Sequence, residues 1–334
     1  MGIRIGINGF GRIGRLVLRS GYKESGLEFV AVNDVTDINT MAYLLKYDSV
    51  HGIFPDEIKK EADTIRIGTS ASVKIISEKD PANLPWRSLG VDMVIESTGK
   101  FTERDMAAKH ITAGAKKVMI SAPGKKADAT IVMGVNDGVY DPSKHHVVSI
   151  ASCTTNCLAP VVKVLNDRFQ IIHGLMTTVH AYTNDQVILD FPHKDLRRAR
   201  AAAISMIPTT TGAAKAIGLV LPELEGKLDG LAVRVPVADA SLVDLVVDVK
   251  KTTTVDEVRN AFKEAAAGSM KRYLQYNEDP IVSIDIVGNP HSSVVDGPLC
   301  SVIGGSMVKV LAWYDNEWGF CQRVIDLIKH MMKT

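Results

Sequence analysis

A cysteine near the middle of the chain, Cys153, stands where a nucleophile could be activated. It lies in the segment 151–157, between a predicted strand and an apolar helical pattern over 158–169. A thiol at a helix N-terminus feels the positive end of the helix dipole, which lowers its pKa. We therefore interpret Cys153 as a candidate nucleophile. The other three cysteines are predicted to be small buried thiols: Cys157, Cys300 and Cys321.

A cysteine nucleophile needs a base, and His180 is the best-placed of the nine histidines. It follows the strand pattern of 175–179, so its imidazole could project from a sheet edge into a cleft. A satisfied core or surface imidazole remains the alternative interpretation of any single histidine. The spacing of Cys153 and Cys157 relative to His145 and His146 matches no familiar ligand pattern, so no metal site is expected.

Cationic and hydroxyl side chains follow His180 along the chain and could hold phosphate. An arginine run covers 197–200, and three threonines precede Gly212 at a predicted helix start. A solvated basic face is the alternative for the arginine run. Arg234 differs because it lies within an otherwise apolar strand, where an arginine usually has an anionic partner.

The glycine pattern Gly9-x-Gly11-x-x-Gly14 lies between a predicted strand and a predicted helix. Such glycines allow backbone N–H groups to approach a pyrophosphate at a helix N-terminus, although they could also merely turn a strand into a helix. Asp34 lies 20 residues after Gly14, where an acidic side chain accepts hydrogen bonds from the adenosine ribose. A carboxylate there repels a 2′-phosphate, so the pattern predicts NAD rather than NADP.

The elements that must position these residues change in character near residue 150. The first part alternates predicted strands with predicted helices, which indicates a mostly parallel sheet: strands 3–7, 29–32, 91–96, 117–121, 131–135 and 147–150, with helices 15–23 and 103–113. The second part has longer strands, which favour an antiparallel sheet, and two amphipathic helices: strands 171–179, 231–236, 242–249 and 307–313, with helices 255–266 and 318–332. The predicted class is α/β, with a Rossmann-type doubly wound sheet followed by an α+β domain whose sheet is mixed or antiparallel.

Composition narrows the class of protein. The chain has 334 residues, 46% of them hydrophobic, and a net charge of +1, which favours a soluble protein of about two domains. A charge so close to zero supplies no global field for nucleic acid or a membrane surface. Few cysteines and the lack of a signal-peptide pattern or long apolar run predict a cytoplasmic location.

The chain resembles the phosphorylating glyceraldehyde-3-phosphate dehydrogenases over essentially its full length. The resemblance rests on five segments: 5–15, 151–160, 177–186, 208–215 and 313–317. It implies a homotetrameric glycolytic enzyme that oxidises glyceraldehyde 3-phosphate with NAD and inorganic phosphate to 1,3-bisphosphoglycerate. It also implies an NAD domain over 1–150 plus 316–334, and a catalytic domain over 151–315.

The same resemblance implies a role for each matching residue. Cys153 would form a hemithioacetal and then a thioester, with His180 as acid and base. The substrate's own phosphate would be held by Thr183 and Arg234. The attacking phosphate would be held by Ser152, Thr154, Arg198, Thr211 and Gly212. The cofactor would be held by Gly9, Gly11, Arg12, Ile13, Gly14, Asp34, Lys79, Ser121 and Asn316.

Three alternatives stay open at this point. An erythrose-4-phosphate dehydrogenase would share the fold and the Cys–His chemistry and differ in the substrate pocket. A Cys–His acyl hydrolase would leave the glycine pattern and Asp34 without a role. An interaction protein with an inactive fold would be expected to lack Cys153, His180 or Arg234, and the chain has all three.

Overall fold

The structure is a computed structural model that describes residues 2–333. The chain divides into two compact units. The first runs up to Ile131 and includes Asp137–Ser152 and the residues from Cys321 onward, and the second comprises Val132–Asn136 and Cys153–Phe320.

The first unit is built on a nine-stranded sheet with short helices. Its strands are β1 (Ile3–Asn8), β2 (Leu27–Asn33), β3 (Tyr47–Asp48), β4 (Gly52–Ile53), β5 (Ile58–Glu61), β6 (Thr64–Ile67), β7 (Ala71–Ile76), β8 (Met93–Glu96), β9 (Lys117–Ile120), β10 (Ala129–Thr130) and β11 (Val147–Ser149). Its helices are α1 (Arg12–Gly21), α2 (Ile38–Lys46), α3 (Arg104–Ala107) and α4 (Lys109–Thr112). The sheet order is β10-β11-β9-β8-β1-β2-β7-β6-β5, while β3 and β4 form a separate pair.

The central strands of this sheet are parallel and buried. β1 pairs in parallel with β2 and β8, and Ile5 and Ile7 are fully buried on β1. Burial on both faces explains why these strands read as apolar runs. Parallel strands bring their carboxyl ends to one edge, so Asn8, Asn33 and Glu96 end β1, β2 and β8 beside one another. In open α/β sheets this edge is where ligands bind.

The second unit is built on an eight-stranded mixed sheet. Its strands are β12 (Ile171–Ala181), β13 (Ile207–Thr210), β14 (Leu228–Val235), β15 (Ser241–Val249), β16 (Leu274–Asn277), β17 (Ser293–Asp296), β18 (Ser301–Ile303) and β19 (Met307–Tyr314). Its helices are α5 (Cys153–Phe169), α6 (Ala213–Val220) and α7 (Val255–Ala267), and α8 (Trp318–Met331) begins here. The order is β13-β14-β12-β15-β19-β17-β16, with β18 beside β19.

Local sequence accounts for the helices that cover this sheet. Thr254 caps α7 through a capping box with Glu257, whose carboxylate accepts the Thr254 N–H at 2.9 Å. Phe262 on the buried face of α7 is fully buried, and α7 packs on α5 and β16. The expectation of buried thiols is confirmed, since three cysteines have exposed fractions of 4% or less: Cys157, Cys300 and Cys321.

Some expected elements differ from those observed. Residues 131–135 were expected to form a strand but lie outside any strand; the strand in this part of the chain is Ala129–Thr130, which pairs with β11. The helix expected over 103–113 is interrupted at Ala108. The second sheet, expected to be mixed or antiparallel, is mixed, because β12 runs parallel to β14 and β16 parallel to β17. Within residues 2–333, none of the helices combines the length and the apolar character that crossing a bilayer requires.

Candidate active site

Cys153 is the first residue of α5 and faces a histidine. Its Sγ lies 3.5 Å from Nε2 of His180, and its side chain is partly exposed. Burial of the sulfur raises the pKa of the Cys153 thiol, while the charge of Arg234 and hydrogen bonding to Thr154 lower it. The lowered pKa expected from the helix N-terminus is therefore wrong for the net effect, because desolvation outweighs the favourable contacts.

His180 lies near the carboxyl end of β12 and is buried. Its Nδ1 is 2.7 Å from the Ala181 carbonyl oxygen and 2.8 Å from Nη1 of Arg234. Burial, followed by the positive charge of Arg234, lowers the pKa of His180 to about 3. The Ala181 carbonyl oxygen can only accept, and it lies within reach of both Nδ1 of His180 and Nη1 of Arg234. We assign the imidazole hydrogen to Nδ1, so that both nitrogens donate to this one oxygen and the Nε2 lone pair faces the sulfur. That is the form that a general base requires.

Arg234 reaches His180 because of strand register. β12 and β14 are parallel, and His180 is paired directly with Arg234 in the ladder. Nη1 of Arg234 also donates to the Ala181 carbonyl at 3.0 Å. Its buried Nε has no hydrogen-bond partner within residues 2–333. A half-buried guanidinium with an unused donor beside a nucleophile is suited to binding an anion.

The other expected phosphate residues lie in two short segments of the second unit. Arg198 donates from Nε to Thr209 Oγ1 at 3.0 Å and forms an ion pair with Asp185. The Thr211 hydroxyl accepts the Ala213 N–H at 3.2 Å at the start of α6. Arg198 lies close enough to contribute to lowering the pKa of His180, which links this segment electrostatically to the site. Sequence reasoning missed Asp185, since an acidic residue beside an anion site gives no positive signal.

Two other expected phosphate residues are held by contacts within the protein. The Thr183 N–H donates to the side-chain oxygen of Gln186 at 3.3 Å. The Thr154 hydroxyl is buried and lies 2.8 Å from the hydroxyl of Tyr314. Ser152, which precedes the nucleophile in the chain, belongs to the first unit.

Tyr314 packs against the candidate pair of Cys153 and His180, and sequence reasoning gave it no role. Its ring meets the His180 ring edge-on, with centroids 5.9 Å apart. Its hydroxyl also lies 2.9 Å from Thr178 Oγ1. The same tyrosine thus contacts both β12 and the start of α5. A tyrosine at a buried strand position is the only sequence signal that could have identified it.

Asn316 follows β19 and has a fixed amide. Its side-chain oxygen accepts the Ser241 hydroxyl at 2.7 Å, and Ser241 Oγ accepts the Ala181 N–H at 3.1 Å. This chain of contacts orients the Asn316 amide relative to the end of β12. The remaining NH2 group is the donor that a carboxamide ligand would use.

The first unit contains a cleft at the carboxyl ends of β1, β2 and β8. Its volume is about 450 Å³, and its lining includes Gly9, Gly11, Asp34 and Lys79. Gly9 has φ of +94°, and a side chain there would approach the Thr98 nitrogen to 2.6 Å. Among residues 2–333, no atom apart from those of Gly11 and its chain neighbours lies within 4 Å of a Cβ built at Gly11. The turn therefore requires glycine at position 9 and leaves open space for a ligand beside Gly11.

Asp34 aims a carboxylate into this cleft. Its Oδ2 accepts the Phe10 N–H at 2.7 Å and its Oδ1 accepts the Thr36 N–H at 2.9 Å. Partial burial would raise the pKa of Asp34, but these N–H groups reverse the effect and hold it below its usual value. The charged form retains lone pairs for the hydroxyls of a ribose. Cleft and carboxylate together fit the adenosine half of a dinucleotide.

The first turn of α1 contains three of the residues expected to hold a pyrophosphate, Arg12, Ile13 and Gly14. Gly14 packs so closely on the turn that a Cβ would approach the Gly9 carbonyl oxygen to 2.1 Å. Arg12 forms a two-point ion pair with the buried Asp48, at 2.7 and 3.2 Å. The Ile13 carbonyl accepts the Cys321 thiol. Arg12 is thus held in one position by a carboxylate that sequence reasoning missed.

Ser121 begins the segment after β9 rather than lining the cleft directly. Its hydroxyl donates to the Glu96 carbonyl oxygen at 3.1 Å. The hydroxyl therefore ties the end of β9 to the end of β8.

Comparisons with known proteins agree with the two-part organisation. Residues 3–104 match the description "Glyceraldehyde 3-phosphate dehydrogenase, NAD binding domain", and residues 152–316 match its C-terminal domain. The chain is 58% identical over 331 residues to glyceraldehyde-3-phosphate dehydrogenase of Geobacillus stearothermophilus, covering 99% of this chain and 98% of that protein. It is 59% identical over 329 residues to the protein of that name from Streptomyces coelicolor, with 98% of each covered. It is 56% identical over 333 residues to glyceraldehyde-3-phosphate dehydrogenase 1 of Bacillus subtilis, covering 100% of this chain and 99% of that protein.

Proposed function

The chain belongs to the glyceraldehyde-3-phosphate dehydrogenase family, and from this premise we propose that it oxidises D-glyceraldehyde 3-phosphate to 1,3-bisphosphoglycerate with NAD and inorganic phosphate. The observation that carries the chemistry is the 3.5 Å approach of Cys153 Sγ to His180 Nε2 beside Arg234. A thiol, a base and an anion-binding guanidinium are the groups that a phosphorylated aldehyde needs.

The first step is addition of Cys153 to the aldehyde. A raised thiol pKa and a lowered imidazole pKa make the resting pair neutral. Nε2 of His180 takes the thiol proton as the S–C bond forms, and then passes it to the aldehyde oxygen. The product is a hemithioacetal, whose carbon can release hydride far more readily than that of the free aldehyde.

In the second step His180 takes the hydroxyl proton of the hemithioacetal and Cys153 is left carrying a thioester. NAD, when bound, supplies the acceptor for the hydride. Attack by a phosphate oxygen on the thioester carbonyl then breaks the C–S bond. The sulfur recovers its proton from His180, and the proton of the attacking phosphate goes to solvent. The thioester conserves the oxidation energy for formation of the acyl phosphate.

We assign two anion sites around this pair. Arg234 and Thr183 hold the phosphate of the substrate, and the buried Nε of Arg234, which has no hydrogen-bond partner within residues 2–333, supports this assignment. The attacking phosphate is assigned to Ser152, Thr154, Arg198, Thr211 and Gly212. A phosphate dianion on Arg234 also offsets the charge that disfavours protonated His180, so substrate binding strengthens the base.

NAD is assigned to the first unit, where the cleft and Asp34 fit its adenosine half. Arg12, Ile13 and the start of α1 would hold the pyrophosphate, and Gly9, Gly11 and Gly14 would admit it. Lys79 and Ser121 would serve the adenine side and neighbouring groups, Lys79 from the lining of the cleft and Ser121 from outside it, and Asn316 would bind the carboxamide. On this assignment residues 1–150 with 316–334 serve the cofactor, and residues 151–315 serve catalysis.

One assay tests this function directly. Full-length protein is incubated with NAD and glyceraldehyde 3-phosphate, with and without inorganic phosphate, and NADH is followed by absorbance. Phosphate-dependent NADH formation is expected, and its lack would refute the proposal. A higher kcat/KM for erythrose 4-phosphate would favour that sister activity instead. A Cys153→Ser variant should bind NAD without turnover, and wild-type rates in it would refute the role of the thiol.

A homotetramer in the cytoplasm is the proposed setting. Large apolar side chains are exposed between β12 and β13, where Ile188 is 83% and Leu196 82% exposed, as is typical of a subunit interface. Four free cysteines are consistent with a reducing compartment. Sedimentation analysis should give four times the chain mass of 36.2 kDa, and a monomer would contradict the assembly.

A further inference from the structure

A buried polar network lies under the cleft of the first unit. It starts from the last residues of three neighbouring parallel strands, Asn8, Asn33 and Glu96. All three are at least 96% buried, with exposed fractions of 2%, 4% and 1%. Polar groups this deeply buried are costly unless their hydrogen-bonding capacity is used.

Four donors surround the carboxylate of Glu96. Its Oε1 accepts from both the backbone N–H, at 2.8 Å, and the hydroxyl of Thr98. Its Oε2 accepts from Nδ2 of Asn8 at 2.6 Å and from the imidazole of His110 at 3.0 Å. A carboxylate whose two oxygens accept hydrogen bonds from four donors acts only as an acceptor.

The hydrogen on His110 is placed by Trp86. The indole Nε1–H of Trp86, which can only donate, points at Nδ1 of His110 from 3.0 Å. Nδ1 is therefore the acceptor, and Nε2 must carry the hydrogen that Glu96 accepts. Asn8 Nδ2 lies 3.4 Å from the same Nε2, and both nitrogens direct their hydrogens to the one carboxylate oxygen. Trp86 Nε1, His110 Nε2 and Asn8 Nδ2 thus each have an assigned acceptor.

The network continues to the surface of the cleft. Asn33 Nδ2 donates to Asn8 Oδ1 at 2.7 Å and to the Glu78 carbonyl at 2.9 Å, and Asn33 Oδ1 accepts the Glu78 N–H at 2.8 Å. Four of its members line the cleft themselves: Asn8, Asn33, Glu78 and Thr98. The Thr98 nitrogen also lies close to Gly9, since it is the atom nearest to a Cβ built there.

We propose that Glu96 is a positioning residue for the adenosine half of the dinucleotide. The inference rests on the proposed function, in that the cleft is taken as the cofactor site. Glu96 does not line the cleft. Its carboxylate sets the relative positions of Asn8 and Thr98 on either side of the glycine turn. His110 contacts that carboxylate and is itself held by Trp86. Both side chains are fully buried, so a ligand does not reach them.

The direct test is Glu96→Gln, measured by calorimetric binding of ADP-ribose to the full-length protein. The amide of glutamine must point a hydrogen at a donor, either Thr98 or the Asn8 and His110 pair, so the turn shifts. The Kd for ADP-ribose is expected to rise about tenfold, and KM for NAD with it, while kcat and the KM for the aldehyde stay near wild type.

Asp92→Asn is the matched control. Asp92 precedes β8 at the opposite end of the strand, where its carboxylate accepts the Arg4 N–H at 2.9 Å. This change also removes a charge that ties two strands, but it lies away from the cleft. Its ADP-ribose affinity should equal that of wild type, and a loss as large as that of Glu96→Gln would overturn the assignment of a specific positioning role.

A second pair of variants decides the matter if Glu96→Gln does not fold. His110→Leu removes the donor to Glu96 without touching the cleft, whereas His110→Gln keeps a donor near the Nε2 position. The leucine variant should bind ADP-ribose more weakly and the glutamine variant should recover most of the affinity. Equal affinities in both would overturn the inference.

The outcome for wild type separates this inference from the proposed function. Wild-type protein that fails to bind ADP-ribose would overturn the cofactor assignment and this inference together. Wild-type protein that binds, matched by a folded Glu96→Gln variant that binds equally well, would overturn only the positioning role of Glu96.

Discussion

Replacing Arg234 by leucine is expected to make His180 a stronger base. The guanidinium is the second cause, after burial, of the lowered pKa of His180, which is about 3 against an ordinary value of 6.5. Removing the charge leaves the burial in place. The pKa of His180 should therefore rise in the variant while staying below its ordinary value, even though the substrate loses the proposed partner of its phosphate.

The size of the effect follows from the separation of the two groups. Nη1 of Arg234 lies 2.8 Å from Nδ1 of His180. Unit charges about 4 Å apart repel by about 4 kcal/mol at an effective dielectric constant of about 20. Water entering the space of the deleted guanidinium would screen part of this. We expect the proton affinity of His180 to increase by about 2 kcal/mol, or roughly 30-fold.

The measurement is an NMR titration of the His180 ring in a Cys153→Ala background, with the signal assigned from a His180→Gln variant. Arg200→Leu is the matched control, because Arg200 pairs with Asp190 on the surface and is not among the charges that shift His180. Inorganic phosphate should also raise the His180 pKa in wild type but not without Arg234. An unchanged titration in Arg234→Leu would refute the electrostatic account of the base.

Three further outcomes are expected. Asp34→Gly should lower the preference for NAD over NADP by about tenfold, because the carboxylate that repels a 2′-phosphate is lost; an unchanged ratio of kcat/KM values would place discrimination elsewhere. Asp48→Asn should raise the KM for NAD several-fold with kcat unchanged, because Arg12 loses its two-point anchor; steady-state kinetics that show a fall in kcat alone would contradict this. The unfolding free energy should fall as pH drops from 6.5 towards 3, since the unfolded chain binds a proton that buried His180 resists, and thermal melts of His180→Gln should show a shallower fall in this window.

Elements with strong apolar patterns could be predicted from the sequence. The strand expected over 171–179 is observed as Ile171–Ala181, and the helix expected over 255–266 as Val255–Ala267. Both elements bury one face, so apolar residues recur along the sequence with the period of a strand or a helix. The turn at Gly9 was equally readable, because its positive φ favours glycine.

Elements that depend on distant partners could not be read in the same way. The edge strand Ile58–Glu61 contains three charged residues in succession and is held by pairing with β6. The segment 131–135 is apolar like a strand and buries Ile131, Val132 and Met133, yet it lies outside any strand. Burial produces apolar runs whether or not the backbone pairs, so composition alone does not distinguish the two.

The candidate site shows the same division between local and long-range information. Cys153 and His180 were identifiable from residue type and position at element ends. Three contacts join residues from different segments of the chain, so the local sequence does not reveal them: Arg12 with Asp48, Arg198 with Asp185, and Tyr314 with His180. Each fixes the direction of a side chain whose presence was predicted but whose partner was not.

The parallel register of β12 and β14 fixes which residue of β14 lies beside His180. Side chains alternate between faces along a strand, so moving β14 by one residue would turn Arg234 away from His180. The next equivalent position is two residues away, roughly 7 Å along the strand. The spacing between base and cation can therefore change only in large steps, whereas the segments beyond the strand ends can vary gradually. Acceptance of a longer or shorter phosphorylated aldehyde should evolve through residues such as Thr183 and Thr211, with the His180–Arg234 pair left as it is.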